Sequence, residues 1–289
     1  MDGRLGQGPD PVVVFARCAL FAGLAWNDLV EMGGHARQQQ FAAQRDIFTE
    51  GERCDGLWVV DSGRLRLYHT SVDGRQQVVG FRSAGAVLEL GPALDGRPFT
   101  VSATSHEGAV LAFLPRSSLL DISRQAPMAR NIIDQLCIEL RQLDIATAVA
   151  TLKDARRRVY CAILRLAQQF GVRTPSGSLR IEYRLTRRDV ADVSGVTLET
   201  AIRVLSDLQH RGVVRTESQL IEILDLEGLE HPSACADCQL SCGIVDRDAG
   251  VRGETIPLVA TRSQANNGNG RPSPEWPVRG RREPDARLA

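Results

Sequence analysis

Residues 186–208, TRRDVADVSGVTLETAIRVLSDL, predict two short helices joined by a tight turn. Thr186 followed three residues later by Asp189 is a capping-box pattern, in which a hydroxyl and a carboxylate each bind a free backbone amide at a helix start. Gly195 breaks this first helix, and Thr197 caps the second. The second helix has one apolar face, made of Ala201, Val204, Leu205 and Leu208. This arrangement is typical of a helix-turn-helix.

The second helix presents polar side chains near its first turn, where a recognition helix meets base edges. Glu199 can accept a hydrogen bond from cytosine, Arg203 can donate two to guanine, and Leu198 can contact a thymine methyl group. Alternatively, Glu199 and Arg203 form an ordinary solvent-exposed pair four residues apart. We predict DNA recognition because the cap, the turn glycine and the paired readers coincide. The predicted DNA contacts are Thr186, Arg187, Leu198, Glu199, Thr200 and Arg203.

The 289 residues carry no net charge, so binding to nucleic acid cannot rest on bulk charge. The local basic runs at 156–158 and 184–188 are the candidates for phosphate contacts. No apolar segment approaches the length of a membrane span, and we predict a cytoplasmic protein with no membrane partner. No catalytic motif occurs and the five histidines are scattered, so an enzyme is not expected.

The region after Phe41 consists of short apolar runs separated by glycines. The runs lie at 57–60, 65–68, 77–81, 87–90, 101–103 and 110–114. Regularly spaced short strands with turn glycines favour a small jelly roll or barrel. Upstream, residues 18–32 predict one or two short helices, with Asn27 or Asp28 capping the second.

The segments IFTEGERCDGLWVVDSGRLRLY (47–68) and GAVLELG (85–91) resemble the cyclic-nucleotide-binding barrel of the CRP/FNR family of bacterial transcription regulators. The helix-turn-helix follows at the distance found in that family, and the likeness extends from about residue 20 to about 229. The resemblance implies an α+β fold: a jelly roll, a long dimerisation helix and a winged helix-turn-helix. It also implies a homodimer that couples a sensory barrel to double-stranded DNA, with RNA polymerase as a further partner.

The expected organisation has five parts: a sensory barrel at 1–126, a dimerisation helix at 127–153, a winged helix-turn-helix at 154–229, a cysteine extension at 230–245 and a disordered tail at 246–289. The wing is predicted as strands at 213–215 and 220–224 joined by residues 216–219, and residues 171–177 are predicted as a loop. Leu198 before Glu199 resembles the FNR branch of the family, although Ile202 stands where that branch has serine.

Glu89 and Thr100 are the candidate residues of an effector pocket in the barrel. Members of the family that bind cyclic AMP have Gly-Glu-Leu and an Arg-Ser or Arg-Thr pair, whose arginine holds the phosphate. Here Leu88 replaces the glycine and Phe99 replaces the arginine, so we do not expect cyclic AMP as effector, unless Arg97 substitutes. The favoured interpretation of Glu89 is a structural carboxylate bonded to loop amides.

A long helix is predicted to begin at Pro127. Its apolar seam follows the alternating four-and-three spacing of a two-stranded coiled coil through Ala129, Ile133, Leu136, Leu140, Leu143, Thr147 and Ala150. The alternative is a single amphipathic helix packed on its own barrel, which normally shows a wider apolar face. A twofold dimer would place two recognition helices about one DNA turn apart, so a palindromic site is expected.

Cys235, Cys238 and Cys242 lie within eight residues, and such a thiolate set selects an iron-sulfur cluster or zinc. The third alternative is a set of free thiols that report redox state by their own oxidation. The set resembles a subgroup of FNR regulators with a C-terminal cysteine cluster, although its last spacing is one residue shorter here. That resemblance implies a 4Fe–4S cluster with Asp154, in the hinge after the dimer helix, as fourth ligand. The other candidates for the fourth ligand are Asp144, Cys137 and His231, the last of which would complete a structural zinc site.

The remaining cysteines, Cys18, Cys54, Cys137 and Cys161, are predicted to be small core side chains. The sequence therefore predicts a homodimeric regulator that responds to oxygen, nitric oxide or redox state through its C-terminal cluster. The alternative is a regulator that binds a small effector in the barrel, with the cysteines holding structural zinc.

Overall fold

The computed structural model describes residues 10–229, all within one compact unit of the chain. The helices are α1 (Pro11–Arg17), α2 (Trp26–His35), α3 (Leu90–Asp95), α4 (Arg116–Ile122), α5 (Ala126–Leu152), α6 (Ala155–Phe170), α7 (Arg187–Ser194) and α8 (Leu198–His210). The strands are β1 (Arg37–Phe41), β2 (Asp46–Phe48), β3 (Gly56–Thr70), β4 (Gln76–Arg82), β5 (Val87–Leu88), β6 (Ser102–Pro115), β7 (Gly171–Arg173), β8 (Leu179–Ile181), β9 (Val214–Glu217) and β10 (Leu220–Ile223).

This element order confirms the predicted α+β fold, with a β-rich domain, a long helix and a C-terminal winged helix-turn-helix. The predicted cysteine extension at 230–245 and the predicted tail at 246–289 lie outside the described residues. Within residues 10–229, no helix is both long and apolar enough to cross a membrane.

The β-rich domain is built on an antiparallel sheet in the order β1-β6-β3-β4, with β2 paired to β6 and β5 paired to β3. The long strands β3 and β6 pair along most of their length, with register shifts beside Gly63. The predicted strands at 57–60 and 65–68 are one strand, as are those at 101–103 and 110–114. Gly63, one of the glycines between the predicted short strands, therefore does not form the turn expected of it. Gly63 has φ +91° inside the strand, and a Cβ there would lie 2.1 Å from the carbonyl oxygen of Gly108.

The N-terminal helices cover one end of this domain. Phe15 and Phe21 are buried and lie against each other with ring centroids 5.0 Å apart. The helix α2 begins at Trp26 after Ala25, which provides no side-chain cap, so the prediction that Asn27 or Asp28 caps this helix is wrong. Both residues instead lie in its first turn, and neither side chain bonds the free amides at the helix start.

The long helix α5 has one buried end and a long exposed stripe. Met128 and Ile132 pack into the barrel core, whereas Ile133, Leu140 and Leu143 of the predicted seam are 57%, 61% and 63% exposed. The seam therefore does not pack on the barrel of its own chain. Cys137, beside this stripe, is also exposed, so the prediction that it is a core side chain is wrong.

The winged helix-turn-helix contains a four-stranded sheet in the order β7-β8-β10-β9. The strand β7 occupies part of the predicted loop at 171–177, because it pairs with β8 as a hairpin. The wing is tighter than predicted, since β9 extends to Glu217 and only Ser218 and Gln219 form the turn. Both turn residues have positive φ, 49° and 66°, as the favoured two-residue hairpin turn requires.

Candidate DNA interface and sensory sites

The N-terminus of α7 carries the predicted capping box. The hydroxyl of Thr186 accepts the amide of Asp189 at 3.1 Å, and the carboxylate of Asp189 accepts the amide and hydroxyl of Thr186 at 2.8 and 2.6 Å. Gly195 ends the helix with φ +61°, a left-handed conformation suited to glycine. These local interactions set the angle at which the second helix follows.

The second helix, α8, begins with a side-chain cap. The hydroxyl of Thr197 accepts the amide of Thr200 at 3.2 Å and donates to the Thr200 hydroxyl at 2.9 Å. Leu198, Glu199 and Arg203 are exposed beside this first turn, whereas Thr200 is half-buried. The four predicted readers on α8 therefore lie together at its N-terminal end.

Glu199 and Arg203 make no ion pair with each other or with any other residue in the range 10–229. The alternative interpretation, an ordinary helix-surface pair, is thus not what the structure contains. Thr186 and Arg187, the other two predicted contacts, are exposed at the start of α7. Arg187 also has no ion-pair partner in the described part of the chain, so its charge is available to a phosphate.

The basic run at 156–158 has an internal role that the sequence did not reveal. Arg156 pairs with Asp207 of α8 at 3.0 Å, and Arg157 pairs with Asp154 at 3.5 Å. The Nε atom of Arg158 is buried. Arg156 therefore links α6 to α8, and the exposed arginines at 184 and 187 are the better candidates for phosphate contacts.

Glu89 and Thr100 lie together in the barrel, but they bind each other. The carboxylate of Glu89 accepts the amide of Thr100 at 3.0 Å and its hydroxyl at 2.6 Å. Phe99 is buried and stacks on Phe48 with ring centroids 3.8 Å apart. Arg97, the possible substitute for the missing phosphate ligand, instead pairs with Asp95 at 3.5 Å.

Arg82 is a second arginine near Glu89, and it was not among the residues predicted for this site. Burial lowers the pKa of its guanidinium from the ordinary value, while Glu139 of α5 and Glu89 oppose that effect. Its guanidinium donates to the carbonyl of Phe81 at 2.9 Å. The only sequence signal was an arginine directly after the predicted strand at 77–81.

The predicted metal ligands fall in two groups. Cys235, Cys238, Cys242 and the alternative ligand His231 lie outside the described residues. Asp154 lies between α5 and α6, where one carboxylate oxygen caps α6 by accepting the amide of Arg157 at 2.9 Å. Asp144 and Cys137 are exposed on α5. The chain between residues 10 and 229 contains no group of three or more His, Cys, Asp or Glu side chains placed to hold a metal.

The first helix of the DNA-binding motif packs on the barrel of the same chain. Val78 and Phe81 of β4 belong to the core of the winged helix-turn-helix, and Phe81 lies 4.6 Å from the ring of Tyr183. The side-chain amide of Gln77 donates to the backbone carbonyl of Asp192 at 3.0 Å. The guanidinium of Arg66 lies 3.9 Å from Asp189 and 3.6 Å from Asp192.

Comparison with known proteins agrees with this architecture. Residues 38–126 match the cyclic nucleotide-binding domain, and residues 157–231 match the Crp-like helix-turn-helix domain. The chain is 30% identical to the "Probable transcriptional activator" of Rhizobium leguminosarum bv. viciae, over 72% of this chain and 86% of that protein. It is 27% identical to the CRP-like cAMP-activated global transcriptional regulator of Mycobacterium tuberculosis, over 75% of this chain and 96% of that protein.

Among solved structures, FixK2 from Bradyrhizobium japonicum matches with a TM-score of 0.60 and 25% identity, covering 68% of this chain and 96% of that one. A cyclic-nucleotide-type barrel joined by a long helix to a winged helix-turn-helix defines a class of DNA-binding transcription regulators. The chain belongs to the CRP/FNR family of that class.

Proposed function

We propose that this chain is a homodimeric regulator that reads a palindromic DNA site through α8 and responds to oxygen, nitric oxide or redox state through a C-terminal iron-sulfur cluster. The observation that carries the DNA-reading part is the exposed, unpaired state of Glu199 and Arg203 beside the first turn of α8. Unpaired polar side chains at that position are free to bond with base edges in the major groove.

The exposed stripe on α5 supports dimerisation. Ile133, Leu140 and Leu143 are each more than half exposed in one chain and recur at coiled-coil spacing. Water contact of such a stripe is unfavourable, and the same stripe of a second copy would cover it. RNA polymerase is the further partner expected of a regulator in this family.

Substitution within the seam tests the dimer. We expect Leu140→Glu to turn a dimer into a monomer in size-exclusion chromatography with light scattering, and to weaken binding to a palindromic duplex. Gln142→Glu is the matched control, because it adds the same charge on α5 outside the seam. A wild-type monomer, or a dimer that Leu140→Glu leaves intact, would contradict the proposed interface.

The sensor proposal rests on the ligand chemistry of three closely spaced thiolates with a carboxylate at the hinge. Asp154 has bonding capacity left, since its second oxygen meets Arg157 only at 3.5 Å and its side chain is 63% exposed. Leu229 is buried in the core that α6 also helps to build. Cys235 follows six residues later, so its distance from Leu229 can be at most about 20 Å, the length of six extended residues.

When bound, such a cluster would supply sensitivity to oxygen, nitric oxide or redox state. Asp154 lies where α5 ends and α6 begins, so its use as a ligand would restrain the angle between these two helices. A change in that angle would alter the fraction of dimers able to bind DNA.

Metal analysis tests the sensor. After anaerobic purification we expect near-equal iron and sulfide in each chain, a colour that bleaches in air, and DNA affinity that changes on bleaching. Cys238→Ala should remove the iron and the air response, whereas Cys161→Ala, in α6, should keep both. A colourless protein with one zinc per chain would overturn the cluster.

A second candidate function is a regulator with a small effector in the barrel and structural zinc on the cysteines. The match to the cyclic nucleotide-binding domain favours it. Against cyclic AMP, Phe99 fills the position of the phosphate-binding arginine, and Thr100 is already bonded to Glu89. A shift in DNA affinity caused by a cyclic nucleotide in an iron-free protein would establish this alternative.

A further inference from the structure

A polar cavity of about 200 Å³ lies on the outer face of the barrel. Three of its lining residues lie side by side on neighbouring strands. Thr104 of β6 is paired with Asp46 of β2 on one side and with Arg66 of β3 on the other. Directly paired residues project from the same side of a sheet. Tyr68 and His106 also line the cavity.

The cavity borders the winged helix-turn-helix. The Nε2 atom of His106 lies 3.0 Å from the carbonyl oxygen of Arg184, so this nitrogen carries a proton and donates it. Arg66 reaches from the cavity to Asp189 and Asp192 of α7. A molecule held in this cavity would therefore touch a side chain that also contacts the DNA-binding domain.

The carboxylate of Asp46 has no ion-pair partner among the described residues. One of its oxygens accepts the hydroxyl of Thr104 at 2.6 Å and that of Tyr68 at 3.5 Å. In the described range, no arginine, lysine or histidine lies within ion-pair distance of this carboxylate. Its negative charge is therefore available to an ammonium group.

Arg66 is a cation whose guanidinium is incompletely bonded. One terminal nitrogen donates to the side-chain oxygen of Gln76, a neutral acceptor. Its two ion pairs, with Asp189 and Asp192, are long, at 3.9 and 3.6 Å, and neither is within hydrogen-bond distance. A carboxylate is the acceptor that a guanidinium binds best. The cavity therefore offers one unpaired anion and one incompletely bonded cation.

We propose that this cavity binds a free α-amino acid, with the ammonium group on Asp46 and the carboxylate on Arg66. Its volume supports a ligand of that size, because pockets for drug-sized molecules usually measure about 300–1,000 Å³. The site is separate from the pocket around Glu89 and needs neither DNA nor a metal. Its failure and the failure of the proposed sensor are thus distinguishable.

Binding of the ligand would act on the DNA-binding domain through Arg66. The carboxylate of the amino acid competes with Asp189 and Asp192 for the same guanidinium, so the ligand weakens the contact between the barrel and α7. By linkage, release of that contact strengthens binding of the ligand by the same factor.

Isothermal titration of the full-length protein with each of the twenty standard L-amino acids tests the proposal. We expect at least one to bind. Its decarboxylated amine and its hydroxy acid, which each lack one of the two charged groups, should bind about tenfold more weakly or worse. Binding of the hydroxy acid as tightly as the amino acid, or no binding by any of the twenty, would overturn the proposal.

Substitutions at Asp46 and Arg66 test where the amino acid binds. Asp46→Asn, at an exposed residue whose replacement leaves the fold intact, should weaken binding by about tenfold, and Arg66→Gln should do the same. Asp55→Asn is the matched control, because Asp55 is an exposed carboxylate that does not line the cavity. Equal binding by wild type and Asp46→Asn would overturn the assignment.

Discussion

Arg66, on the barrel strand β3, lies 3.9 Å from Asp189, the residue that completes the capping box of the first helix of the DNA-binding motif. Asp189 is buried, and Asp192, one turn further on, meets the same guanidinium at 3.6 Å. One arginine therefore joins the barrel to the helix that positions α8. Any change in the barrel that moves Arg66 reaches the DNA-binding domain directly.

Removal of this charge should loosen α7. We expect Arg66→Gln to lower the free energy of unfolding by about 1–3 kcal/mol, since the buried Asp189 loses its ion-pair partner and Asp192 keeps only Arg188 among the described residues. Hydrogen exchange should become faster in α7 and β4. Arg53→Gln, which breaks an exposed pair with Asp55, should change stability by less than about 0.5 kcal/mol. Unchanged exchange in α7 would show that the contact is not stabilising.

Asp192 should give the protein a distinctive dependence on pH. Burial raises the pKa of this carboxyl above its ordinary value, although Arg188 and Arg66 oppose the shift. The native state then binds the proton more tightly than the unfolded state, so the contribution of Asp192 to stability rises as the pH falls through its native pKa.

The variant Asp192→Asn isolates this effect. It should be more stable than wild type at pH 7, and the difference between the two should shrink as the pH falls through the native pKa of Asp192, where the carboxyl becomes neutral as the amide is. Urea unfolding at several pH values measures the difference. A difference that grows on acidification would mean that the pKa of Asp192 is lowered in the native state rather than raised.

Gly63 should tolerate no side chain. Because a Cβ there would lie 2.1 Å from the carbonyl oxygen of Gly108 and φ is +91°, we expect Gly63→Ala to destabilise the barrel by about 3 kcal/mol. Gly34→Ala, in α2 with open space around it, should be neutral or stabilising by up to about 1 kcal/mol. Thermal unfolding of the two variants compares them, and similar melting temperatures would contradict the close approach.

Local signals predicted the DNA-binding motif well. The hydroxyl of Thr186, the carboxylate of Asp189 and the turn at Gly195 act within a few residues, so their pattern is visible in the sequence. The exposed seam of α5 was predictable for the same reason, because its spacing follows from one helix.

Long-range contacts explain what the sequence did not predict. Gly63 looked like a turn residue, yet its conformation is required by Gly108 on another strand. The contact of Arg66 with α7 joins two domains, and neither the strand pattern around Arg66 nor the helix pattern of α7 predicts it. The cysteine extension lies outside the described residues, so its ligands remain predictions.

The most direct test of the account is selection of binding sites from a pool of random duplexes by the full-length protein. We predict a palindromic site with half-sites about one helical turn apart. Arg203→Ala should lose the preference at one base pair in each half-site, a change of about 1–3 kcal/mol, and retain weak nonspecific binding. Arg211→Ala, which breaks a pair with Asp207 at the other end of α8, should select the wild-type site. The same site selected by wild type and Arg203→Ala, or no palindrome at all, would contradict the assignment of α8 as the reading helix of a dimer.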